Sequence, residues 1–307
     1  MSTYDIIVIG SGLAGLTAGL FAARQGLSTV VMESNIPGGH LMNIEKIEDF
    51  PGFPDGVAGY DLCPNLQSQA ANYDAEFQRA EVLRLEAQDN FWSVLTEEET
   101  HRAKAVIVAT GSTLRRLDVP GEEKLMGRGV SHCASCDGPL YKGQTVGVVG
   151  GGDSALQEAL TLTNFAEKVW LINQGETFTA QQTYRQRVSA NAKISPCHQT
   201  AIEEVLGEEV VKGVRARDLK SGKISQLDLA GLFVFVGLQP NTSLLRNLVA
   251  LTESGHVPTD VSMKTERAGL YATGDIRRDS ASQAISSAGD GATAAIAACR
   301  YIKESFR

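Results

Sequence analysis

The chain contains little cysteine: five residues in 307, an odd number. A secreted disulfide framework needs a denser, even set, so this count favours a reducing compartment in which a C-x-x-C pair is catalytic. The N-terminus lacks a basic segment followed by an apolar stretch, which predicts no cleaved leader and a cytoplasmic protein. No apolar run reaches the ~18 residues that a membrane helix requires.

Basic charge is also scarce. Lys and Arg number 28 against 36 Asp and Glu, a formal net charge of −8 at pH 7, which disfavours nucleic acid as a partner. Apolar residues make up 43% and charged residues 21% of the chain, as in ordinary globular proteins. A chain of 307 residues is about the right length for two domains.

Two of the cysteines, Cys133 and Cys136, are three positions apart and are followed by Asp137. Thiols at this spacing can close a small disulfide ring, and the adjacent carboxylate can move the proton that thiol–disulfide exchange requires. The alternative is a zinc site completed by Cys197 and His198. Adjacent residues on a strand point to opposite faces, so the pattern favours a redox disulfide, and we predict no metal site.

A glycine-rich turn follows the first predicted strand, residues 4–9, and leads into a helix. Gly10 would make the tight turn, Gly12 would admit a pyrophosphate, and Gly15 would let the helix pack on the strand. The helix N-terminus would then face the phosphates. This order of strand, turn and helix predicts dinucleotide binding through Gly10, Gly12, Leu13, Ala14 and Gly15.

The same arrangement occurs a second time. The strand after each helix ends on a polar residue, Glu33 in the first half and Asn173 in the second, at the same spacing from its turn. This is the position from which a side chain contacts an adenosine ribose. The repeat predicts a second nucleotide-binding turn, whose candidate contacts are Gly150, Gly152, Asp153, Ser154 and Ala155.

These patterns predict an α/β fold made of two Rossmann-like, three-layer ββα dinucleotide-binding domains, with the second inserted into the first. The first domain would comprise residues 1–113 and 240–307, and the second, which carries the C-x-x-C pair, residues 114–239. Helices are predicted over 60–72, from 283 onward and over 294–304.

Several further segments turn or end where a bound dinucleotide would lie. A Gly-Asp pair at a strand end, as at Asp275, can bring a carboxylate to a sugar alcohol chain, although a helix cap is the alternative role. A following helix can point its N-terminus at an anionic ring edge. Together with a loop over 37–54 that is long enough to wrap a ligand, these segments supply the candidate contacts Gly39, Thr110, Gly111, Gly274, Asp275, Gln283 and Ala284.

Motifs along essentially the whole chain resemble those of the low-molecular-weight thioredoxin reductase family of flavoproteins. In order they are G-S-G-L-A-G (10–15), A-T-G-S (109–112), V-P-G-E (119–122), G-R-G-V-S-H-C-A-S-C-D-G (127–138), G-G-G-D-S-A (150–155), G-L-Q-P-N-T (237–242), A-T-G-D (272–275) and S-Q-A-I-S-S-A-G (282–289). The resemblance implies FAD in the first domain, a homodimer, and a thioredoxin-like or other dithiol protein as partner. It also implies that Cys136 faces the flavin, Cys133 exchanges with the partner and Asp137 is the acid/base.

Four parts of the chain depart from the family pattern. Near the flavin, Ser282-Gln283-Ala284 stands in place of the usual Arg-Gln-Ala, Glu48-Asp49 in place of the usual Glu-Asn, and His40 in place of the usual Gln; the resemblance implies that His40 and Asp49 contact the flavin. The fourth departure lies in the second domain. The family's NADPH enzymes carry His-Arg-Arg and a later Arg after the second strand of the second domain, whereas residues 173–179 here read N-Q-G-E-T-F-T. Charge-assisted hydrogen bonds to phosphate contribute roughly 1.5–3 kcal/mol each, so we expect NADPH to bind orders of magnitude more weakly. Asn173 and Gln174 would then face a nucleotide without a 2′-phosphate.

Two branches of the family work without pyridine nucleotide. Ferredoxin-dependent flavin thioredoxin reductases tend to lack the second glycine turn and to carry a C-terminal tail, whereas diflavin-linked disulfide oxidoreductases hold a second FAD there. The intact second turn and the short C-terminus favour the diflavin branch and two FAD molecules per chain. The alternatives are ferredoxin as electron donor, NADH in the second site, or a flavin-binding protein whose cysteines are structural.

Overall fold

The computed structural model describes residues 2–306 and has a mixed α/β architecture, which confirms the predicted fold class. Two compact units divide the chain. The first extends up to Thr113 and resumes at Gln239, and the second comprises Leu114–Leu238.

The elements of the described region have the following bounds. The strands are β1 (Thr3–Ile9), β2 (Thr29–Glu33), β3 (Glu76–Arg79), β4 (Val82–Gln88), β5 (Phe91–Thr96), β6 (Thr100–Val108), β7 (Ser112–Leu114), β8 (Val130–Ser131), β9 (Thr145–Val149), β10 (Lys168–Ile172), β11 (Ile194–Cys197), β12 (Thr200–Leu206), β13 (Gly213–Asp218), β14 (Ile224–Asp228), β15 (Gly231–Val234), β16 (Leu238–Pro240) and β17 (Leu270–Ala272). The helices are α1 (Leu13–Ala23), α2 (Gly59–Ala71), α3 (Glu122–Leu125), α4 (Ala134–Asp137), α5 (Asp153–Leu162), α6 (Gln182–Ala190) and α7 (Ala284–Ser305).

The central strands of the first unit are buried on both faces. Such continuous apolar runs suit parallel strands that are covered on both sides. β1 pairs in parallel with β2 and β6, and β17 adds to β6 in parallel, whereas β5 and β4 continue from β6 as an antiparallel meander. The sheet order is β3-β2-β1-β6-β5-β4, with β17 on β6.

Helices α1 and α7 cover one face of the parallel strands. Apolar side chains of β4 and β5 and of residues 245–257 pack in one cluster with the side chains on the other face. The two helices predicted from 283 onward and over 294–304 are one continuous helix of 22 residues, α7, so the predicted separation was wrong. The helix continues through Gly291, where α7 packs tightly against α1. A Cβ at Gly291 would lie 2.0 Å from the Ala14 carbonyl oxygen, so only glycine allows this approach.

The second unit repeats the three layers. Its parallel sheet has the order β11-β10-β9-β15-β8, with α5 and α6 on one face and the antiparallel sheet β12-β13-β14 on the other. Across residues 2–306, no helix combines the length and apolarity needed to cross a membrane.

Candidate redox site and nucleotide-binding turns

Cys133 and Cys136 form a disulfide, with their Cα atoms 5.3 Å apart, as the spacing predicted. Cys133 is the N-cap of α4, and its Sγ accepts the Cys136 N–H at 3.2 Å. A backbone donor directed at one sulfur stabilises the thiolate of that residue once the disulfide is reduced. The Cys136 residue is exposed, and Cys133 is half-buried.

Two side chains flank the disulfide. Asp137 is half-buried, and its charge adds to the effect of burial in raising the pKa of Tyr141. His132 has its Nδ1 2.9 Å from the Val234 carbonyl oxygen. Because a carbonyl oxygen only accepts, Nδ1 is the donor in this hydrogen bond.

The remaining cysteines are not arranged for redox chemistry. Cys63 and Cys299 are buried, and burial raises the pKa of Cys63 to about 11. Burial also raises the pKa of half-buried Cys197, against the opposing charge of Lys168. Thiols with raised pKa values react slowly at neutral pH. Among residues 2–306, no group of three or more His, Cys, Asp and Glu side chains could hold a metal ion.

The first glycine turn has the shape of a phosphate-binding turn. A Cβ on Gly10, whose φ is +97°, would lie 2.4 Å from the Ala109 oxygen, and one on Gly15 would lie 1.9 Å from the Gly10 oxygen. Gly12 is the N-cap of α1, which no side chain of the described region caps. A Cβ on Gly12 would meet nothing within 4 Å, so open space lies beside unsatisfied helix N–H groups, where a pyrophosphate fits.

Segments distant in sequence converge on this turn. A Cβ on Gly39 would lie 3.5 Å from the Gly12 Cα, and one on Gly274 would lie 3.2 Å from the Ala14 Cβ. The Thr110 Cα is 3.1 Å from the Cβ position of Gly10. The structure therefore brings together residues that the sequence predicted separately, namely Gly10, Gly12, Ala14, Gly39, Thr110 and Gly274.

Glu33 reaches back from the end of β2 to the same turn. One carboxylate oxygen accepts the Ser11 N–H at 2.8 Å and the Ser11 hydroxyl at 2.9 Å. The other accepts the Asn35 N–H at 3.0 Å. The Ser34 hydroxyl also donates to this second oxygen at 3.5 Å, so four donors occupy the roughly four lone-pair sites of the carboxylate. A ribose hydroxyl would take the place of this long Ser34 contact.

A chain of polar groups joins three further segments of the first unit. His40 Nε2 lies 2.5 Å from the Ser112 carbonyl oxygen, and the Ser112 hydroxyl donates to Asp275 at 3.0 Å. Asp275 therefore accepts from a strand residue rather than capping a helix. The sequence did not single out Ser112, because its partner is 163 positions away and nothing local indicates the pairing.

The turn that carries Asp275 is fixed from α7. Buried Asp290 accepts the Gly274 N–H at 3.2 Å and pairs with Arg277 at 2.5 Å. Gln283 is the N-cap of α7 in a capping box, which places Ala284 at the first helical position. Their predicted place at a helix N-terminus is therefore correct.

Two other predicted contacts lie in loops of the first unit. Gly111 has φ +63°, and its carbonyl accepts the Asn241 N–H at 2.9 Å. The Thr110 hydroxyl donates to the backbone carbonyl oxygen of Asn241 at 2.7 Å. Asp49 is exposed in the loop Glu48–Pro54, which lines a surface cavity of about 360 Å³.

The second glycine turn repeats the geometry of the first. A Cβ on Gly150, with φ +143°, would lie 2.2 Å from the Phe235 oxygen and 2.8 Å from the Ala155 Cβ. Gly152 is the N-cap of α5 with ψ −177°, against ψ −179° at Gly12. A Cβ on Gly152 would also meet nothing within 4 Å. Both turns thus leave the same open space at a helix start.

Asn173 differs from Glu33 in what it contacts. Its amide nitrogen donates to the Thr177 oxygen at 2.9 Å and the Gly175 oxygen at 3.2 Å, and its amide oxygen accepts the Gly175 N–H at 3.2 Å. An ionised Asp cannot donate to carbonyls. The two hydrogen bonds to carbonyl oxygens of this loop therefore need the amide of Asn173.

The loop after Asn173 folds back onto the second turn. The Gly151 carbonyl oxygen accepts hydrogen bonds from the Thr179 N–H at 2.8 Å, the Ala180 N–H at 3.1 Å and the Thr179 hydroxyl at 3.2 Å. Asp153 accepts the Gln181 N–H at 2.7 Å and the Gln181 side-chain amide at 2.8 Å. Both Asp153 carboxylate oxygens therefore accept hydrogen bonds from Gln181, while Gln174 and Ser154 are exposed.

A C-x-x-C disulfide and two dinucleotide-type glycine turns in one α/β chain define the class of dinucleotide-binding disulfide oxidoreductases. The family model described as pyridine nucleotide-disulphide oxidoreductase matches residues 4–292, and the chain belongs to this family.

The relatives narrow the class. The chain is 40% identical over 304 residues to a thioredoxin reductase of Mycolicibacterium smegmatis, covering 99% of this chain and 98% of that protein. It superimposes on a Lactococcus lactis thioredoxin reductase with a TM-score of 0.96 at 34% identity, covering 98% and 99% of the two chains. A T. acidophilum thioredoxin reductase gives 0.94 at 31% identity, with both chains fully covered. The chain is a flavin disulfide oxidoreductase of the thioredoxin reductase type.

Proposed function

We propose that Cys133 and Cys136 exchange two electrons and two protons with FAD on one side and with a thioredoxin-like or other dithiol protein on the other. Reduction breaks the S–S bond and adds one proton to each sulfur. FAD, held by the first turn with Glu33, supplies a carrier that takes up or releases two electrons. The observation that carries this proposal is the disulfide with a backbone donor on one sulfur, in a chain whose first glycine turn is open for a pyrophosphate.

Each residue of the cysteine turn has a distinct role in this proposal. The Cys133 thiolate attacks the partner disulfide and forms a mixed disulfide, and Cys136 then displaces the partner thiolate and re-forms the internal disulfide. Asp137 takes and returns the proton. Ser112 and Asp290 hold the turn that presents Asp275 to the sugar alcohol chain of the flavin.

We further infer that the second turn holds a second FAD in place of NADPH. Two observations support this: the open space over Gly152 and the absence of arginine from residues 173–179 in the sequence. The family description favours a pyridine nucleotide in the same turn, and this is the principal alternative. For NADH, the Asn173 amide would replace the usual ribose-binding acid.

We expect denatured wild-type protein to release about two FAD molecules per chain, and both Gly12→Ala and Gly152→Ala to release about one. The added Cβ meets no protein atom within 4 Å in either variant, so it enters only the space reserved for phosphate. The released FAD is divided by chain concentration, and each variant is the control for the other. Thermal unfolding of the flavin-free proteins should be unchanged.

The same preparations separate the alternatives. Wild-type protein is mixed anaerobically with excess NADPH, NADH or reduced ferredoxin. A ratio near one with rapid bleaching by a pyridine nucleotide would return the chain to the nucleotide-dependent enzymes. A ratio near one with bleaching by ferredoxin alone would favour the ferredoxin-dependent alternative. The homodimer implied by the resemblance and the cytoplasmic location predicted from the sequence are also proposals, and sedimentation tests the first.

Asp137→Asn is expected to slow anaerobic bleaching of the flavin by dithiothreitol by about 10²-fold or more, because general acid–base groups typically contribute 10²–10⁴-fold. Glu209→Gln, which removes an exposed acid elsewhere in the second unit, should bleach like the wild type. A wild-type bleaching rate for Asp137→Asn across pH 6–9 would leave Asp137 with no part in proton transfer.

A further inference from the structure

A carboxylate on a neighbouring helix holds the cysteine turn. Glu158, on α5, accepts the Ala134 N–H at 2.8 Å, and Ala134 is the fully buried residue directly after Cys133. Neither the C-x-x-C pattern nor the glycine turn indicates this contact, because Glu158 lies 24 positions beyond Ala134.

Helix α5 is a rigid support for that carboxylate. Leu156, Ala159 and Leu162 of α5 are fully buried in the core of the second unit, and α4 packs against α5. A group on an element fixed by its own core holds its partner more accurately than a group on a loop. Glu158 is therefore placed to set the conformation of the turn.

We propose that Glu158 is a positioning residue for the redox disulfide: by accepting the Ala134 N–H, it keeps the cysteine turn in the conformation in which the Cys136 N–H reaches Cys133 Sγ. This inference rests on the proposed role of Cys133 as the nucleophile. It does not depend on the identity of the second nucleotide or of the partner protein.

The hydrogen bond from Ala134 to Glu158 has its largest effect after the disulfide has been reduced. The disulfide itself constrains the turn while it is oxidised. Once the S–S bond is broken, α4 is four residues long, and helices this short are not stable on their own. The external acceptor then decides whether the Cys136 N–H stays within reach of the Cys133 thiolate. Losing one such hydrogen bond raises the pKa of a thiol by about one unit.

Other titratable and charged groups lie on the elements packed around the turn. Their titration is common to the wild type and to every variant described below, so differences between these proteins report on Glu158. These groups are His132, Asp137 and Tyr141 beside the cysteine turn and Asp153 on α5, the helix that packs against α4.

The test compares Glu158→Ala with Glu158→Gln in the flavin-bound protein. Each protein is reduced, desalted anaerobically and alkylated with iodoacetamide between pH 5 and 9, and peptide mass spectrometry quantifies Cys133, Cys136 and Cys197 separately. In Glu158→Ala we expect Cys133 alkylation at pH 7 to be about tenfold slower, with its pH midpoint about one unit higher. Glu158→Gln should react at or above the wild-type rate, because its amide oxygen still accepts the N–H.

A wild-type pH profile for Cys133 in Glu158→Ala would overturn the proposal, and so would a Gln variant as slow as the Ala variant. Cys197 is the internal reference for an intact fold. If Glu158→Ala does not fold, Glu158→Met replaces it, because methionine keeps the length of the side chain without the carboxylate acceptor. The same tenfold loss is expected.

Discussion

Cys136→Ser is expected to leave a Cys133 thiol that forms a stable mixed disulfide, whereas Cys133→Ser leaves a Cys136 thiol that reacts at least about tenfold more slowly. The reason is the Cys136 N–H, which lies 3.2 Å from Cys133 Sγ and stabilises only that thiolate. Exposure alone would predict the opposite, since Cys136 is the more exposed residue. We expect the fraction of each thiol that is present as thiolate to determine which cysteine reacts faster, because the thiolate is the nucleophile.

The measurement uses an aromatic disulfide, 5,5′-dithiobis(2-nitrobenzoate), as the probe. Reduced wild-type protein should release two thionitrobenzoate ions from the cysteine turn and retain no adduct, since the second thiol displaces the first adduct. Cys136→Ser should release one and retain one, located on Cys133 by mass spectrometry. Both variants should lose turnover by on the order of 10⁴-fold or more. Faster adduct formation in Cys133→Ser than in Cys136→Ser would reverse the assignment of the two sulfurs.

The double substitution Gln174→Arg and Thr179→Arg is expected to raise the affinity of the second turn for a 2′-phosphorylated nucleotide by about 10²–10⁴-fold. Each arginine restores a charge-assisted hydrogen bond of roughly 1.5–3 kcal/mol. Both positions are exposed. The loop should persist, because the Thr179 N–H to Gly151 bond at 2.8 Å does not use the side chain. Gly175 is left unchanged, since a Cβ there would lie 3.1 Å from the Thr177 oxygen.

The expected gain is measured as the concentration of 2′-phospho-ADP-ribose that half-displaces FAD from the second turn, followed by flavin fluorescence. ADP-ribose, which lacks the phosphate, should show no comparable gain. Glu209→Arg changes the net charge of the chain by the same amount at an exposed site and is the matched control. An equal gain in that control would show that overall charge, and not residues 173–179, governs nucleotide choice.

The sequence predicted the parts of each nucleotide-binding unit but not how they meet. Gly10, Gly12 and Gly15 could be assigned from their spacing, because a strand, a tight turn and a helix are local structures. The contact of Ser112 with Asp275 could not be assigned, since it joins β7 to the turn after β17. The continuity of α7 was missed for a related reason, because Gly291 packs against Ala14 of α1, which is distant in the sequence.

The sequence by itself determined the α/β class, the repeated glycine turns and the C-x-x-C pair, because these depend on residue type and short-range spacing. It also determined that residues 173–179 carry no arginine to select a 2′-phosphate. Only the tertiary structure decided that the Asn173 side chain hydrogen-bonds to its own loop, whereas the Glu33 side chain hydrogen-bonds to the glycine turn. It likewise decided that Glu158 holds the cysteine turn. Each of these contacts depends on where a folded backbone places a donor, and spacing along the chain does not record that position.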